Sequence, residues 1–554
     1  MSPARRRLLG GLAGAAAMIA VVTALSRVLG FVRYLVGAGT VGMGGVADAY
    51  NSANVLPNVL FEVAAGGALA GALVPLLAGP VLRRDVAEVD RIVGAALGWT
   101  LLVLAPLGLL LAAVSGPVAR LVAGDRGAGA VEVLRFFVVV FAVQVPMYGL
   151  TVLLYAVLQA HRRFFWPAFA PVMSSLVVVA TFLGYGLLAH GQRDDPAAVP
   201  GAALQVLAWG TTAGVASMCF PMLVPVRRLG VAVRPTLRFP PGVARRFRSL
   251  AFAGVGAVAA QQLSVLVVLQ LAVTRGTSGS YTTFVYGQQV YLLPYAILVV
   301  PLATSTFPRV AARVAAADQD GFARLSALTT RAVLAAAAAG AAALLAAAPA
   351  VARVFAALSH SPSVQPDMTA LLTWMLPGVV GFAAMFHVSR TLYALERARS
   401  AVVSAAVGWG TVAVVAVVAV VALTSHGPDR AAVLTALGLA TTAGMTAGGG
   451  ATLVALRRAA GPAALDGLTR TLLVLGGAGV ARRRRRRLDR GRGCGRSRAR
   501  RAARGGRGGP GPGPRDRARD AASGARTGPE LSGARDRPTT PRGVPRRRAG
   551  RTVR

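Results

Sequence analysis

The chain has 554 residues, of which 55% are hydrophobic and 14% charged, with a formal net charge of +40 and a mean hydropathy of +0.59. An average soluble domain is about 45–50% apolar and about 25% charged, so a single soluble globule is excluded. The charge is also unevenly placed, because residues 481–554 carry 26 Arg against 5 acidic residues and hold +21 of the total, so two unlike objects join near Val480.

In chain order, apolar runs long enough to cross a bilayer at about 20 residues each predict twelve helices. They fall at 9–35, 48–80, 92–118, 132–159, 166–189, 201–226, 249–274, 281–308, 329–357, 366–394, 400–424 and 431–456. The first follows Arg5, Arg6 and Arg7 but lacks a small-residue cleavage site, so it reads as a retained helix and not a signal peptide. Every basic residue is Arg. Of the 34 in residues 1–480, the amino terminus and the loops after even-numbered helices, with their flanks, hold 25, the odd-side loops hold 7 (Arg120, Arg126, Arg135, Arg193, Arg275, Arg353 and Arg430), and two lie inside the first helix. The positive-inside rule then predicts a cytoplasmic amino terminus.

Leu56-Pro57 recurs as Leu293-Pro294, and Leu154-Tyr155-Ala156 recurs as Leu392-Tyr393-Ala394, at offsets of 237 and 238. Such an offset moves each element by six helices and predicts two parallel six-helix repeats with a substrate site between them. The halves span 1–226 and 249–458, joined by the basic linker 227–248.

Within the spans, ionisable groups cost about 2.5–3.5 kcal/mol each at a helix centre on insertion scales, so they need a reason. Arg27 and Arg33 lie in the first helix, about 120° apart at 100° per residue. Arg33 has snorkelling to an interface as an alternative; Arg27 sits deeper. Asp48, Asn51, Asn54, Asn58 and Glu62 fall on one face of the second helix, about 120° wide, and Pro57 breaks the ladder within it. A polar stripe with a helix break predicts a cavity wall, with helix-to-helix hydrogen bonding as the alternative. The corresponding part of the second half offers uncharged partners such as Gln262, Gln289, Tyr286 and Tyr291, while Tyr281 reads as an interfacial belt residue. Guanidinium groups suit phosphate, so the balance favours an anionic cargo with a large polar part. The five His and two Cys show no metal-ligand spacing, and there is no nucleotide-binding loop and no catalytic constellation. The chain therefore reads as a transporter and not an enzyme, with no cofactor. Membrane potential or a coupling ion is left to drive it.

Several ordered motifs then carry a family resemblance. Ser26-Arg27-Val28-Leu29-Gly30-Phe31-Val32-Arg33, Ala47-Asp48-Ala49-Tyr50, Leu56-Pro57-Asn58-Val59-Leu60 and Gly66-Gly67-Ala68-Leu69 resemble the opening of the MviN/MurJ family. Tyr148-Gly149-Leu150, Leu154 to Ala160 and Pro167 to Pro171 extend the likeness, closest to the actinobacterial branch. The resemblance implies the fold of the multidrug and polysaccharide exporters, two six-helix lobes in a V, an all-α polytopic protein of the bacterial plasma membrane working by alternating access. It implies a flippase that moves lipid II, the undecaprenyl-diphosphate-linked disaccharide pentapeptide, to the outer leaflet for peptidoglycan synthesis. It also implies that Arg27 and Arg33 bind diphosphate in the cavity and that Asp48 is a functional carboxylate nearby. An exporter of another polysaccharide precursor or a drug, or a scaffold for cell-wall synthesis proteins among the membrane lipids, is the alternative.

The sequence departs from the family in places. Phe61 and Gln289 stand where many relatives carry a cavity Arg, and of fourteen helices the thirteenth is incomplete within 459–480 and the fourteenth is missing. From Ala481 the chain is rich in Arg, Gly and Pro and reads as disordered. Its composition fits out-of-frame translation of GC-rich DNA better than an anionic-lipid anchor or a nonspecific RNA binder. No specific nucleic-acid partner is expected.

Overall fold

The computed structural model describes residues 3–63, 67–124, 126–240, 243 and 255–474. The readings of the tail and of most of the thirteenth helix lie outside the described residues. Those described are almost wholly helical and contain no β-strand. In chain order the helices are α1 Pro3–Thr40, α2 Gly45–Phe61, α3 Gly67–Arg83, α4 Val86–Ala113, α5 Ser115–Ala123, α6 Ala128–Ala142, α7 Gln144–Ala160, α8 Phe165–Leu188, α9 Gly201–Cys219 and the short α10 Leu223–Arg227. There follow α11 Val255–Thr274, α12 Ser280–Pro294, α13 Val300–Ala315, α14 Gln319–Ser359, α15 Val364–Met375, α16 Gly378–Ala394, α17 Ala398–Leu423 and α18 Arg430–Ala460.

Among the described residues, ten helical stretches are long and apolar enough to cross a membrane, and α15 with α16, bent by 47°, makes an eleventh. The second predicted span, 48–80, is not one helix. It is divided between α2 and α3, each 17 residues long. Pro57 removes one ladder bond, and the backbone widens to π-helical turns at Glu62 and Val63 before residues 64–66. The same happens in the second half, where Pro294 ends α12 and Tyr295–Val299 is π-helical. π-turns of this kind place a weak point in a helix at functional positions.

The repeat is visible in the turns. Arg84 takes a left-handed φ of 57° before Asp85 caps α4, and Ala317 takes 54° before Asp318 caps α14. Arg162 (58°) closes α7 as Glu396 (59°) closes α16. In both closures the next residue's amide reaches back five positions, Arg163 to Leu158 and Arg397 to Leu392, at 2.8 Å each. These turns set the halves 233 and 234 residues apart, one helical turn short of the 238 read from Leu154 and Leu392. Leu-Ala-rich helices tolerate a one-turn slip because the same face stays inward.

The first-half helices pack chiefly on each other, α8 on α9 and α1, α2 on α6 and α4 on α7; α17 packs on α18 and α11, and α14 on α15 and α16. Between the two sets, α1 meets α14, α2 meets α12 and α5 meets α11. The basic segment after α10 is not a free linker. Thr236 donates its amide to the Gly94 carbonyl at 3.0 Å, Trp99 donates its indole N–H to the Leu237 carbonyl, and the Asp90 carboxylate accepts from the Ala232 amide. A Cβ at Gly98 would stand 2.1 Å from the Thr236 oxygen, so this glycine lets the segment lie on α4. The part of the linker beyond 240 lies largely outside the described residues.

Candidate translocation cavity and its closed end

A cavity of about 590 Å³ is lined by α1, α2, α7, α8 and α9 of the first half and by α12 with Ala296 of the second. It extends from Tyr50 and Asn51 to Pro167 and Ala168, in the first turn of α8 near the opposite end of the bundle. Of the residues singled out in the sequence, Arg27, Arg33, Asn51, Asn54 and Gln289 line it. Arg27 and Arg33 reach the same space despite their angular separation, because α1 stays helical through Gly30 and no atom lies within 4 Å of where a Gly30 side chain would begin. Arg27 is exposed and Arg33 half-buried. The Arg33 guanidinium donates to the Tyr34 hydroxyl at 3.2 Å and sits 5.0 Å from that ring's centroid, a cation–π contact. Tyr34 in turn meets Tyr286 edge-on at 5.4 Å.

Among the described residues no carboxylate lines it, whereas hydroxyls and amides are many. The lining thus offers two permanent cations, carboxamides and the phenols of Tyr34, Tyr50, Tyr148 and Tyr286, a set suited to a phosphate attached to hydrogen-bonding groups. Sequence periodicity did not single out Tyr34 and Tyr50 because each looks like core. Tyr50 is indeed packed edge-on against Phe137, Phe141 and Phe182, with its hydroxyl 3.1 Å from Thr211 Oγ1.

Asp48, Asn58, Glu62 and Gln262 lie elsewhere. Gln262 is buried in α11, Asn58 donates back to the Asn54 carbonyl, and Glu62 sits in the π-turn. Asp48 stands beyond the cavity, at one end of the bundle. Its carboxylate is 2% exposed and accepts four hydrogen bonds. Oδ2 takes Arg126 Nη1 and the Gly279 amide, and Oδ1 takes the Thr282 amide and hydroxyl, all at 2.8 Å. Asp48 and Arg126 belong to the first half, Gly279 and Thr282 to the second. Arg126 extends the link by donating to the Val273 and Thr277 carbonyls, and Asn51 donates to Thr282 Oγ1.

A second link lies nearby. Arg193, between α8 and α9, donates to the Gly39 carbonyl and lies 2.7 Å from His360 Nδ1 at the end of α14. Beside it, burial pushes the Asp194 carboxyl above the usual carboxylate range, an effect that Arg193 opposes. Arg430 ties the second-half loop down, pairing with Asp367 at 2.9 Å and donating to Thr283 and the Ser278 carbonyl. Gly279 has a φ of +85°, and a Cβ there would stand 2.0 Å from the Met43 carbonyl oxygen, so only glycine allows this closure. Three of the seven arginines on the sparse side of the loop count are therefore structural parts of this closed end. Tyr281, read as an interfacial residue, is instead only 4% exposed beneath the Asp48 cluster's loop.

The family model for lipid II flippase MurJ matches residues 37–475. Among relatives, the chain is 28% identical over 294 residues to a probable lipid II flippase MurJ of Rhizobium meliloti (strain 1021), covering 52% of each chain. It is also 28% identical over 311 residues to lipid II flippase MurJ of Burkholderia cenocepacia, covering 55% of this chain and 58% of the relative. The chain spans about half the length of the curated relatives it matches. Among solved structures, an inward closed lipid II flippase MurJ superposes with a TM-score of 0.64 at 17% identity, covering 83% of this chain and 92% of that one. An inward-facing multidrug resistance MATE family transporter of the MOP superfamily gives 0.66 at 12% identity, covering 81% and 98%. At those identities the structures speak to the fold, which is that of MOP-superfamily transporters. With its family model covering most of the helical body, this multi-pass membrane chain belongs to the lipid II flippase MurJ family.

Proposed function

We propose that this protein moves lipid II, the undecaprenyl-diphosphate-linked precursor of peptidoglycan, from the cytoplasmic to the outer leaflet of the bacterial plasma membrane by alternating access. The observation that carries the reading is the cavity with two arginines and, among the described residues, no carboxylate, closed at one end by cross-lobe bonds and reaching the other. The loop arginines support the orientation, since the Arg83, Arg162 and Arg227 turns fall at the helix ends away from Asp48. The amino terminus is then cytoplasmic and the cavity faces the cytoplasm, with the Asp48 end as the outer gate.

In this reading Arg27 and Arg33 hold the diphosphate, and their guanidinium forks need no proton exchange to do so. Tyr34 orients Arg33 through its hydroxyl and ring. Asn51, Asn54 and Gln289 face the sugar and peptide groups, and the lipid tail stays in the bilayer. Asp48 acts on access: releasing its four bonds frees Gly279 and Thr282 from α2 and lets the halves part at the outer end. Growth rescue of a flippase-depleted bacterium tests the reading. The intact chain should restore growth and the Arg27→Ala and Arg33→Ala variants should not. A body that localises with wall-synthesis proteins without rescuing supports the scaffold alternative instead.

A further inference from the structure

A second groove, of about 420 Å³, lies between the start of α17 and the end of α18, at the end away from Asp48. It shares no residue with the central cavity. Arg397, Arg399 and Arg458 line it with Ser400, and Val403 and Val454 continue its wall toward the middle of the helices. All three arginines are exposed. Among the described residues no carboxylate comes within ion-pair distance of any of them, although Arg83 pairs with Glu88 and Arg313 with Asp318 at other turns. The first turn of α17 carries the positive end of its dipole, and within it the Ser400 amide is taken by the Arg397 carbonyl at 3.1 Å. Arg397, at the N-cap, supplies no side-chain cap. Two helices thus direct three uncompensated guanidinium groups at one place.

A phosphate matches these donors bidentately. The valines say what the phosphate carries: Val403 is 53% and Val454 48% exposed, and they form an apolar track leading from the arginines into the membrane-spanning part of α17 and α18. A free anion would use the arginines and leave the track bare. We propose that this groove binds one anionic glycerophospholipid, its phosphate on Arg397, Arg399 and Arg458 and an acyl chain along Val403 and Val454. The lipid would hold the α16–α17 turn to the end of α18. This inference does not rest on the flippase reading.

Native mass spectrometry of the full-length protein, titrated with phosphatidylglycerol and separately with phosphatidylcholine, tests it. One phosphatidylglycerol should be retained at concentrations where phosphatidylcholine is not. The combined Arg397→Gln, Arg399→Gln and Arg458→Gln variant should weaken that binding by roughly a hundredfold, from the usual worth of a basic residue at a lipid surface. Val454→Trp, which fills the track and keeps every charge, should weaken it too. Arg227→Gln with Arg228→Gln, exposed arginines outside the groove, should leave it unchanged. The proposal fails if that control pair loses as much binding as the groove variant, because a diffuse surface potential would then suffice. It fails equally if Val454→Trp binds as the parent does, or if millimolar inorganic phosphate competes the lipid off, since either result describes an anion site and not a lipid site.

Discussion

Replacing Asp48 by Asn should open the end of the protein that is closed in this structure. The substitution keeps the shape and one carbonyl oxygen, so the Thr282 amide and hydroxyl retain an acceptor at the Oδ1 position. The Oδ2 position, however, receives both Arg126 Nη1 and the Gly279 amide at 2.8 Å. An NH2 there faces two donors and can accept from neither. A hydrogen bond to a charged group contributes about 1.5–3 kcal/mol, and removing one partner of a buried pair costs about 3–5 kcal/mol. Arg126 keeps two carbonyl acceptors and is 20% exposed, so the lower figure, about 3 kcal/mol, is appropriate. These bonds join the halves and exist only when the end is closed. The cost therefore falls on the closed state, and the closed-to-open ratio should drop by roughly a hundredfold. Spin labels at Ala128, the first residue of α6, and at Ser361, in the turn after α14, report the change by pulsed electron resonance in lipid nanodiscs. A longer distance should appear or grow in Asp48→Asn and in Arg126→Gln, and the double variant should add little beyond either. An unchanged distance distribution in Asp48→Asn would refute the assignment of Asp48 as a lock.

Other consequences follow from the same geometry. Gly279→Ala should mimic Asp48→Asn in the label distances, since its Cβ cannot coexist with the Met43 carbonyl. Gly98→Ala should lower thermal stability by about 1–3 kcal/mol, the usual cost of overpacking, by lifting the 228–240 segment off α4; an unchanged melting temperature would show that the segment is not packed there. Burial raises the Asp194 carboxyl above its ordinary range, so the folded protein binds the proton more tightly than the unfolded chain. Stability contributed by this group accordingly falls as pH rises through the window between the ordinary and the raised value. Asp194→Asn should then melt higher than the parent at neutral pH, with the difference shrinking toward acid, and a constant difference would contradict the sign. Tyr34→Phe should weaken transport less than Arg33→Ala in the growth-rescue assay, because the ring contact survives and only the 3.2 Å hydrogen bond is lost.

Much of the architecture is legible in the residues. Apolar length located eleven of the twelve predicted spans among the described residues, because hydrocarbon thickness imposes it, while 48–80 proved to be two shorter helices. What length could not show is where a span breaks. Pro57 signalled the first break, and Pro294 and Pro377 carry the same missing ladder bond at the second π-turn and at the α15–α16 bend, whereas nothing at Val143 itself foretold the interruption between α6 and α7. In the cavity, Arg27 and Arg33 stood out because a charge in lipid is costly wherever it points. Asp48 stood out for the same reason, but periodicity placed it on the cavity face with Asn51 and Asn54. Its actual partners, Arg126, Gly279 and Thr282, are 78 to 234 residues away, and no local pattern encodes such a pairing. Arg126 and Arg193 were visible only as exceptions to the loop count. An arginine on the side that avoids arginine was the available signal.

The central claim, that this chain carries a lipid-linked diphosphate through the arginine-lined cavity, is tested most directly in proteoliposomes. The protein is reconstituted with fluorescent lipid II, and the fraction of label that becomes accessible to an external quencher is followed over time. The account predicts protein-dependent transfer that falls at least tenfold in the combined Arg27→Ala and Arg33→Ala variant. Transfer at the parental rate in that variant would contradict it.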